Sequence, residues 1–138
     1  MKILISDHLD ERCAEILRDE HCEVDYRPGL GQAELLEVID GYDVLIVRSA
    51  TSVTSEVIAR GRRLTMIGRA GTGVDNIDVE AATRRGILVM NTPGGNTISA
   101  AEHTVSMMLA LARNIPQAHV SLTGGAWERK RFTGTEVF

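Results

Sequence analysis

The sequence predicts an α/β fold of the flavodoxin-like kind: a doubly wound, five-stranded parallel sheet, followed by a long protruding helix of interdomain or dimerising character. Three observations lead there. Short apolar and β-branched runs alternate with segments of helical periodicity from Lys2 to Met90. The run Val44-Leu45-Ile46-Val47 is continuously apolar, as expected of a strand covered on both faces, and this implies a parallel sheet. A later segment, Ser99 to Arg113, is apolar almost all round, so a single sheet leaves part of it uncovered.

Taken in order, Lys2 to Ser6 reads as the first strand, and Leu9, Cys13, Ile16 and Leu17 recur at helical spacing after it. Val24 to Arg27 is a weaker strand, Pro28 to Gly31 is turn chemistry, and Leu35, Leu36, Val38 and Ile39 form a short helix stopped by Gly41. Val44 to Val47 is the third strand, and Thr54 is placed to cap a helix carrying Val57 and Ile58. Leu64 to Ile67 feeds a glycine-rich loop, Val79 to Arg85 is helical, Gly86 is its left-handed stop, and Ile87 to Met90 is the fifth strand. Asn91 to Asn96 is a loop without apolar content; Ser99 with Glu102 reads as a capping box opening the long helix. After Pro116 a short helix runs to Leu122 and ends at Gly124-Gly125, and a tail closes at Phe138. The expected division is therefore residues 1–96 as a ligand-binding domain and 97–138 as the helix and a basic tail.

With 138 residues, 43% of them hydrophobic, the chain is long enough for one well-packed domain. A net charge of −4 argues against a nucleic-acid partner, and no apolar run reaches membrane-spanning length. The N-terminus meets Asp7 too early for a signal peptide, so the cytoplasm is the expected location. Cys13 and Cys22 lack metal-ligand or CxxC spacing and read as reduced thiols; no metal site is expected. His8, His21, His103 and His119 stand in no catalytic spacing with a carboxylate, so no catalytic residue is assigned.

The chemistry concentrates at the carboxyl ends of strands, where open α/β sheets bind their ligands. In Gly68-Arg69-Ala70-Gly71-Thr72-Gly73-Val74-Asp75-Asn76 the glycines permit positive φ and leave no Cβ in the way of a ligand, while Arg69 adds a guanidinium fork. Gly71-Thr72-Gly73 gives half of a G-x-G-x-x-G dinucleotide fingerprint, but Asn76 stands at its third glycine and the expected acidic residue about twenty positions on is replaced by Asn91 to Gly95. The loop therefore reads either as a cradle for a small anion or as a plain tight turn. Arg48 and Ser49 follow the third strand; two arginines beside a donor-rich loop suit a carboxylate or phosphate. A surface ion pair is the alternative for Arg48. Arg129, Lys130 and Arg131 form either a further positive patch or an ordinary solvated run. A response-regulator receiver domain shares this fold class and an early acidic pair, Asp7 and Asp10, but it requires an Asp where Arg48 stands and a Lys where Asn91 stands.

The strings Ile46-Val47-Arg48-Ser49-Ala50-Thr51, Val74-Asp75-Asn76, Gly86 to Pro93, Ala100-Ala101-Glu102-His103-Thr104 and Trp127-Glu128-Arg129-Lys130 together resemble the D-isomer-specific 2-hydroxyacid dehydrogenases, and among them the phosphoglycerate-oxidising branch. The resemblance covers essentially the whole chain. It implies a flavodoxin-like substrate domain joined to a Rossmann domain, with NAD-dependent oxidation of 3-phosphoglycerate to 3-phosphohydroxypyruvate for serine synthesis. By position it implies that Arg48, Ser49 and Arg69 bind substrate anions, that Gly71 and Gly73 offer N–H groups to the carboxylate, and that Thr72 touches the cofactor. It further implies that Arg129, Lys130 and Arg131 serve the substrate phosphate and that the long helix around Met107 forms a homodimer. The nucleotide domain and the family's catalytic Arg, Glu and His are expected outside these residues, so this chain alone is expected to be inactive. A glyoxylate or hydroxypyruvate reductase portion, or a non-catalytic dimerising module, are the competing readings.

Overall fold

β1 (Lys2–Ile5), β2 (Glu23–Tyr26), β3 (Val44–Val47), β4 (Met66–Arg69) and β5 (Leu88–Asn91) pair in parallel throughout, in the order β2-β1-β3-β4-β5. This is the flavodoxin-like strand order, as the alternation of runs predicts. The coordinates are a computed structural model that describes residues 1–137; Phe138, the end of the expected tail, lies outside the described residues. The chain divides into two compact units, Met1–Gly95 and a second beginning at Asn96.

The sheet's two faces follow from the strand alternation. Leu4, Leu45, Val47 and Ile67 pack with Leu35, Val57, Ile58 and Ala82, so α2 (Gln32–Val38), α3 (Ser55–Arg60) and α4 (Val79–Arg84) cover one face. Ile3, Ile5 and Val44 point the other way, onto α1 (Glu11–Asp19) through Ala14, Cys13 and Leu17. Ile16, counted with that apolar stripe by spacing, is instead 54% exposed. Within the first unit α1 covers the β1 side of its face only: Leu88 and Met90, in register with Met66 and Gly68, remain half exposed.

Local chemistry sets the helix ends. Asp10, Thr54 and Asp78 each accept a backbone N–H from the first turn that follows, at Arg12, Val57 and Ala81. Gly86, at φ +68°, supplies the left-handed stop after α4 that its position predicts. A 3-10 turn, Ile39–Gly41, leads α2 into β3.

In the second unit α5 (Thr97–Ala112) starts two residues before Ser99, with Asn96 at its N-cap and no side-chain cap bond. The expected Ser99–Glu102 capping box is therefore not formed: Ser99 lies inside the first turn, where its backbone is already helical and cannot act as a cap. Among its apolar residues none is buried, and Leu111 is 77% exposed. Asn114, at φ 52°, turns the chain into α6 (Ile115–Thr123), and a 3-10 turn, Arg129–Phe132, follows. Among the described residues no helix is long and apolar enough to cross a membrane.

Candidate functional site

Parallel pairing brings the carboxyl ends of β1, β3, β4 and β5 to one edge of the sheet, and side chains tie the four loops together there. Asp7, just past β1 and 3% exposed, accepts the backbone N–H groups of Arg48 at 2.6 Å, Ala50 at 3.2 Å and Thr51 at 3.2 Å, and the Thr51 hydroxyl at 2.5 Å. Ser6 adds a hydroxyl contact to Thr51 at 3.0 Å. Burial alone raises the Asp7 carboxyl; the Thr51 hydroxyl and the N–H groups of Arg48, Thr51 and Ala50 outweigh it and hold it below the usual carboxylate range.

The loop after β4 is fastened to its neighbours through carbonyls. Arg69 Nε and Asn76 Nδ2 both donate to the Arg48 carbonyl, at 3.2 and 2.7 Å, and Asn76 Nδ2 also reaches the Thr51 carbonyl at 2.6 Å. Arg69 Nη1 donates to the Gly73 carbonyl at 2.6 Å. From β5, the Asn91 amide donates to the Thr72 carbonyl at 2.5 Å and the Thr92 N–H to the Gly71 carbonyl at 3.0 Å. The carbonyls of Arg48, Thr51, Gly71, Thr72 and Gly73 are thus all engaged by donors of the protein itself.

The residues singled out in the sequence fall as follows. Arg48 is exposed, its guanidinium reaching the His8 carbonyl at 3.3 Å, and Ser49 is exposed beside it. Arg69 is largely covered, its side chain 11% exposed, with Nη2 3.6 Å from the Asp75 carboxylate. Gly71, Thr72 and Gly73 lie in the same loop. None of Gly68, Gly71 and Gly73 adopts positive φ, so the expected left-handed backbone is not what their glycine character supplies. It supplies room: a Cβ at Gly71 would lie 3.0 Å from Arg69 Nη1, and one at Gly73 would lie 2.8 Å from Asp75 Oδ1. The Gly71 N–H, expected to face a ligand, donates to the Arg69 carbonyl at 2.9 Å. A tight backbone turn after β4 consumes it.

Arg129, Lys130 and Arg131 belong to the second unit and are exposed. Arg131 is paired with Glu128 at 3.1 Å and stacks 5.5 Å from the centre of the Phe132 ring. That unit also carries an open, mostly apolar hollow of about 630 Å³ between Pro116, Val120 and Phe132, lined by none of the residues of the β4 loop.

Two residues outside the expected set organise the site. The sequence assigns neither a binding role: Asp7 enters it as the charge that ends the first apolar run and in comparison with receiver domains, and Asn76 at a missing glycine and within a family string. The signal for Asp7 was its place at the end of a buried strand adjacent to β3. For Asn76 nothing in the linear spacing indicates which carbonyls its amide meets.

The loop does not fit a dinucleotide pyrophosphate. Asn76 fills the third glycine position with an amide bonded to two carbonyls, and the next helix begins only at Val79, after a bridge between Val53 and Ile77. Among the described residues no cluster of His, Cys, Asp and Glu could hold a metal ion.

The strand order and the placement of polar groups at the carboxyl edge define an open parallel-sheet α/β protein with its ligand edge formed by the strand-end loops. The chain belongs to the D-isomer specific 2-hydroxyacid dehydrogenase family, whose catalytic-domain model matches residues 3–135. It is 57% identical over 136 residues to D-3-phosphoglycerate dehydrogenase of Sus scrofa, covering 99% of this chain and 26% of that protein. A solved structure from Thermus thermophilus superposes with a TM-score of 0.86 at 33% identity, over 98% of this chain and 45% of that one. The NAD+-bound 3-phosphoglycerate dehydrogenase of Entamoeba histolytica superposes with a TM-score of 0.74 at 36% identity, over 82% of this chain and 39% of that one. The chain thus spans about a quarter of the length of the curated relatives it matches.

Proposed function

We propose that this chain is the substrate-binding portion of an NAD-dependent dehydrogenase that oxidises 3-phosphoglycerate to 3-phosphohydroxypyruvate, with residues 1–96 as the substrate domain and 97–138 leading toward a nucleotide-binding domain. The observation that supports this most is the arrangement of Arg48 and Arg69 at the ends of adjacent parallel strands, with Arg69 bonded to the Arg48 carbonyl at 3.2 Å. Two guanidinium groups so rooted suit a carboxylate, and the similarity to phosphoglycerate dehydrogenases selects the acid.

In this reading Arg48 and Arg69 hold the substrate carboxylate, Ser49 and the Gly73 N–H complete its hydrogen bonds, and Gly71 leaves the space that a side chain would fill. Thr72 faces the cofactor. Arg129, Lys130 and Arg131 supply positive charge to the substrate phosphate, and the helix Thr97–Ala112 pairs two copies of the protein. A nicotinamide cofactor bound in the intact enzyme would supply the hydride acceptor for oxidation of the alcohol carbon, and Thr72 is the residue of this chain that would touch it. These 138 residues alone do not turn over substrate: among the described residues no histidine ring is hydrogen-bonded to a carboxylate, and the ring of His21 meets only the Asp19 carbonyl at 3.0 Å.

Thermal unfolding with 3-phosphoglycerate, D-glycerate and NAD tests the proposal. Stabilisation by the phosphorylated acid, lost in Arg48→Ala and Arg69→Ala, is the expected result, because a ligand that binds only the folded state raises its stability. A shift unaffected by either substitution sinks the assignment, and NADH formation by the purified 138-residue chain sinks the claim that it is inactive alone.

A further inference from the structure

We propose that Asn76 is a positioning residue for the anion site, acting through Arg48; this rests on the substrate reading given above. Asn76 touches no ligand in this scheme. Its Nδ2 donates to the carbonyls of Arg48 at 2.7 Å and Thr51 at 2.6 Å, and so grips the turn after β3 at both ends. The amide orientation is dictated by these partners, since reversing it would set Oδ1 against two carbonyl oxygens.

The consequence falls on Arg48. Its backbone N–H is held by the Asp7 carboxylate at 2.6 Å and its carbonyl by Asn76, so both peptide groups flanking the Arg48 Cα are fixed. The guanidinium, by contrast, is exposed, with one long bond to the His8 carbonyl at 3.3 Å. The direction in which the side chain leaves the backbone is therefore set by Asp7 and Asn76, while its tip stays free to meet an anion. The Arg48 carbonyl also accepts Arg69 Nε at 3.2 Å, and Arg69 has its own further bond to the Gly73 carbonyl at 2.6 Å, so its placement does not depend on the Asn76 amide. Pre-fixing the root of a long side chain lowers the ordering cost of binding.

A purely structural Asn76 would affect folding without regard to Arg48. A double-mutant cycle separates the two, read as the affinity of the chain for 3-phosphoglycerate by calorimetric titration. Arg48→Ala is expected to weaken binding about 10- to 100-fold, the range for losing a charged hydrogen bond, and Asn76→Ala about tenfold or less. Because Arg48→Ala keeps the clamped carbonyl but removes the guanidinium, Asn76→Ala in that background is expected to cost no more than about twofold. Asn76→Ser, which retains one donor, is expected to bind with intermediate affinity and to unfold in urea close to the unsubstituted chain. Losses that multiply, or an Asn76→Ala chain that binds as tightly as the unsubstituted one, overturn this proposal while leaving the substrate reading intact. Absence of binding by the unsubstituted chain, or indifference to Arg48→Ala, overturns the substrate reading and this proposal with it.

Discussion

The carboxylate of Asp7 and the backbone N–H of Arg48 lie 2.6 Å apart at the joined ends of β1 and β3, and the same carboxylate takes three further donors from Ala50 and Thr51. A buried anion with four donors is tolerated because its hydrogen bonds replace those of water. Asp7→Ala strands three N–H groups and a hydroxyl, and is expected to cost on the order of 3 kcal/mol of stability by chemical denaturation. A loss below about 0.5 kcal/mol, the level of an ordinary surface substitution, would show that the cluster does not hold the loop.

The same cluster makes stability depend on acid. Asp7 titrates below its ordinary value in the folded chain, so its contribution is fully present above the unfolded carboxyl pKa of about 3.9 and is lost as the pH falls through the lower folded value. Unfolding midpoints measured from pH 6 downward are expected to fall in that acid window, and the fall is expected to be shallower in Asp7→Asn, which has no proton to take up there. Equal slopes for the two chains would assign the acid sensitivity to other carboxylates, of which Asp40 and Asp43, held low by Arg62 and by Lys2 with Arg63, are the first to consider.

The parallel sheet was legible in the sequence because burial on both faces leaves an unambiguous trace. Val44 to Val47 has no polar residue to place outward, and β3 lies at the centre of the sheet. The ends of elements were less legible where backbone geometry, not side-chain type, decides. Ser99 has cap chemistry, yet the chain enters its helix at Thr97. Arg48 and Arg69 could be placed at the carboxyl edge of the sheet because strand ends can be counted along the chain. The clamp by Asp7 and Asn76 could not, since it links residues 41 and 28 positions from Arg48 through contacts that only the folded topology creates.

The glycines of the β4 loop differ in what an added methyl meets. At Gly68 it would lie 3.7 Å from Ile46 Cγ1, an ordinary contact, and φ is not positive there, so Gly68→Ala is expected to change stability by less than about 1 kcal/mol. At Gly73 it would meet Asp75 Oδ1 at 2.8 Å and Arg69 Nη1 at 3.4 Å. At Gly71 it would lie 3.0 Å from Arg69 Nη1, so Gly71→Ala is expected to leave the fold intact and weaken 3-phosphoglycerate binding, by displacing the Arg69 guanidinium. Equal affinities for the two variants in the same titration would contradict this.

Thr54 caps α3 by accepting the Val57 N–H at 3.4 Å, and the six-residue helix carries Val57 and Ile58 into the core. Thr54→Ala is expected to cost about 1 kcal/mol, whereas Thr54→Ser, which keeps the oxygen, should recover most of it. Urea denaturation of the pair gives the comparison.

Asp75 bears on affinity rather than folding. Its carboxylate is 84% exposed and lies 3.6 Å from Nη2 of the covered Arg69 guanidinium, close to where a substrate carboxylate would have to approach the same group. An exposed pair of this kind contributes at most about 1 kcal/mol, so Asp75→Asn should alter the stability of the unliganded chain little. For an incoming anion the same charge is a competitor and a source of repulsion. Asp75→Asn is accordingly expected to tighten 3-phosphoglycerate binding by up to about fivefold at low salt. The gain should shrink as salt rises, because screening weakens repulsion between exposed charges. Weaker binding in Asp75→Asn would reverse the assignment and make the Asp75 carboxylate a support that aims Arg69 at its ligand.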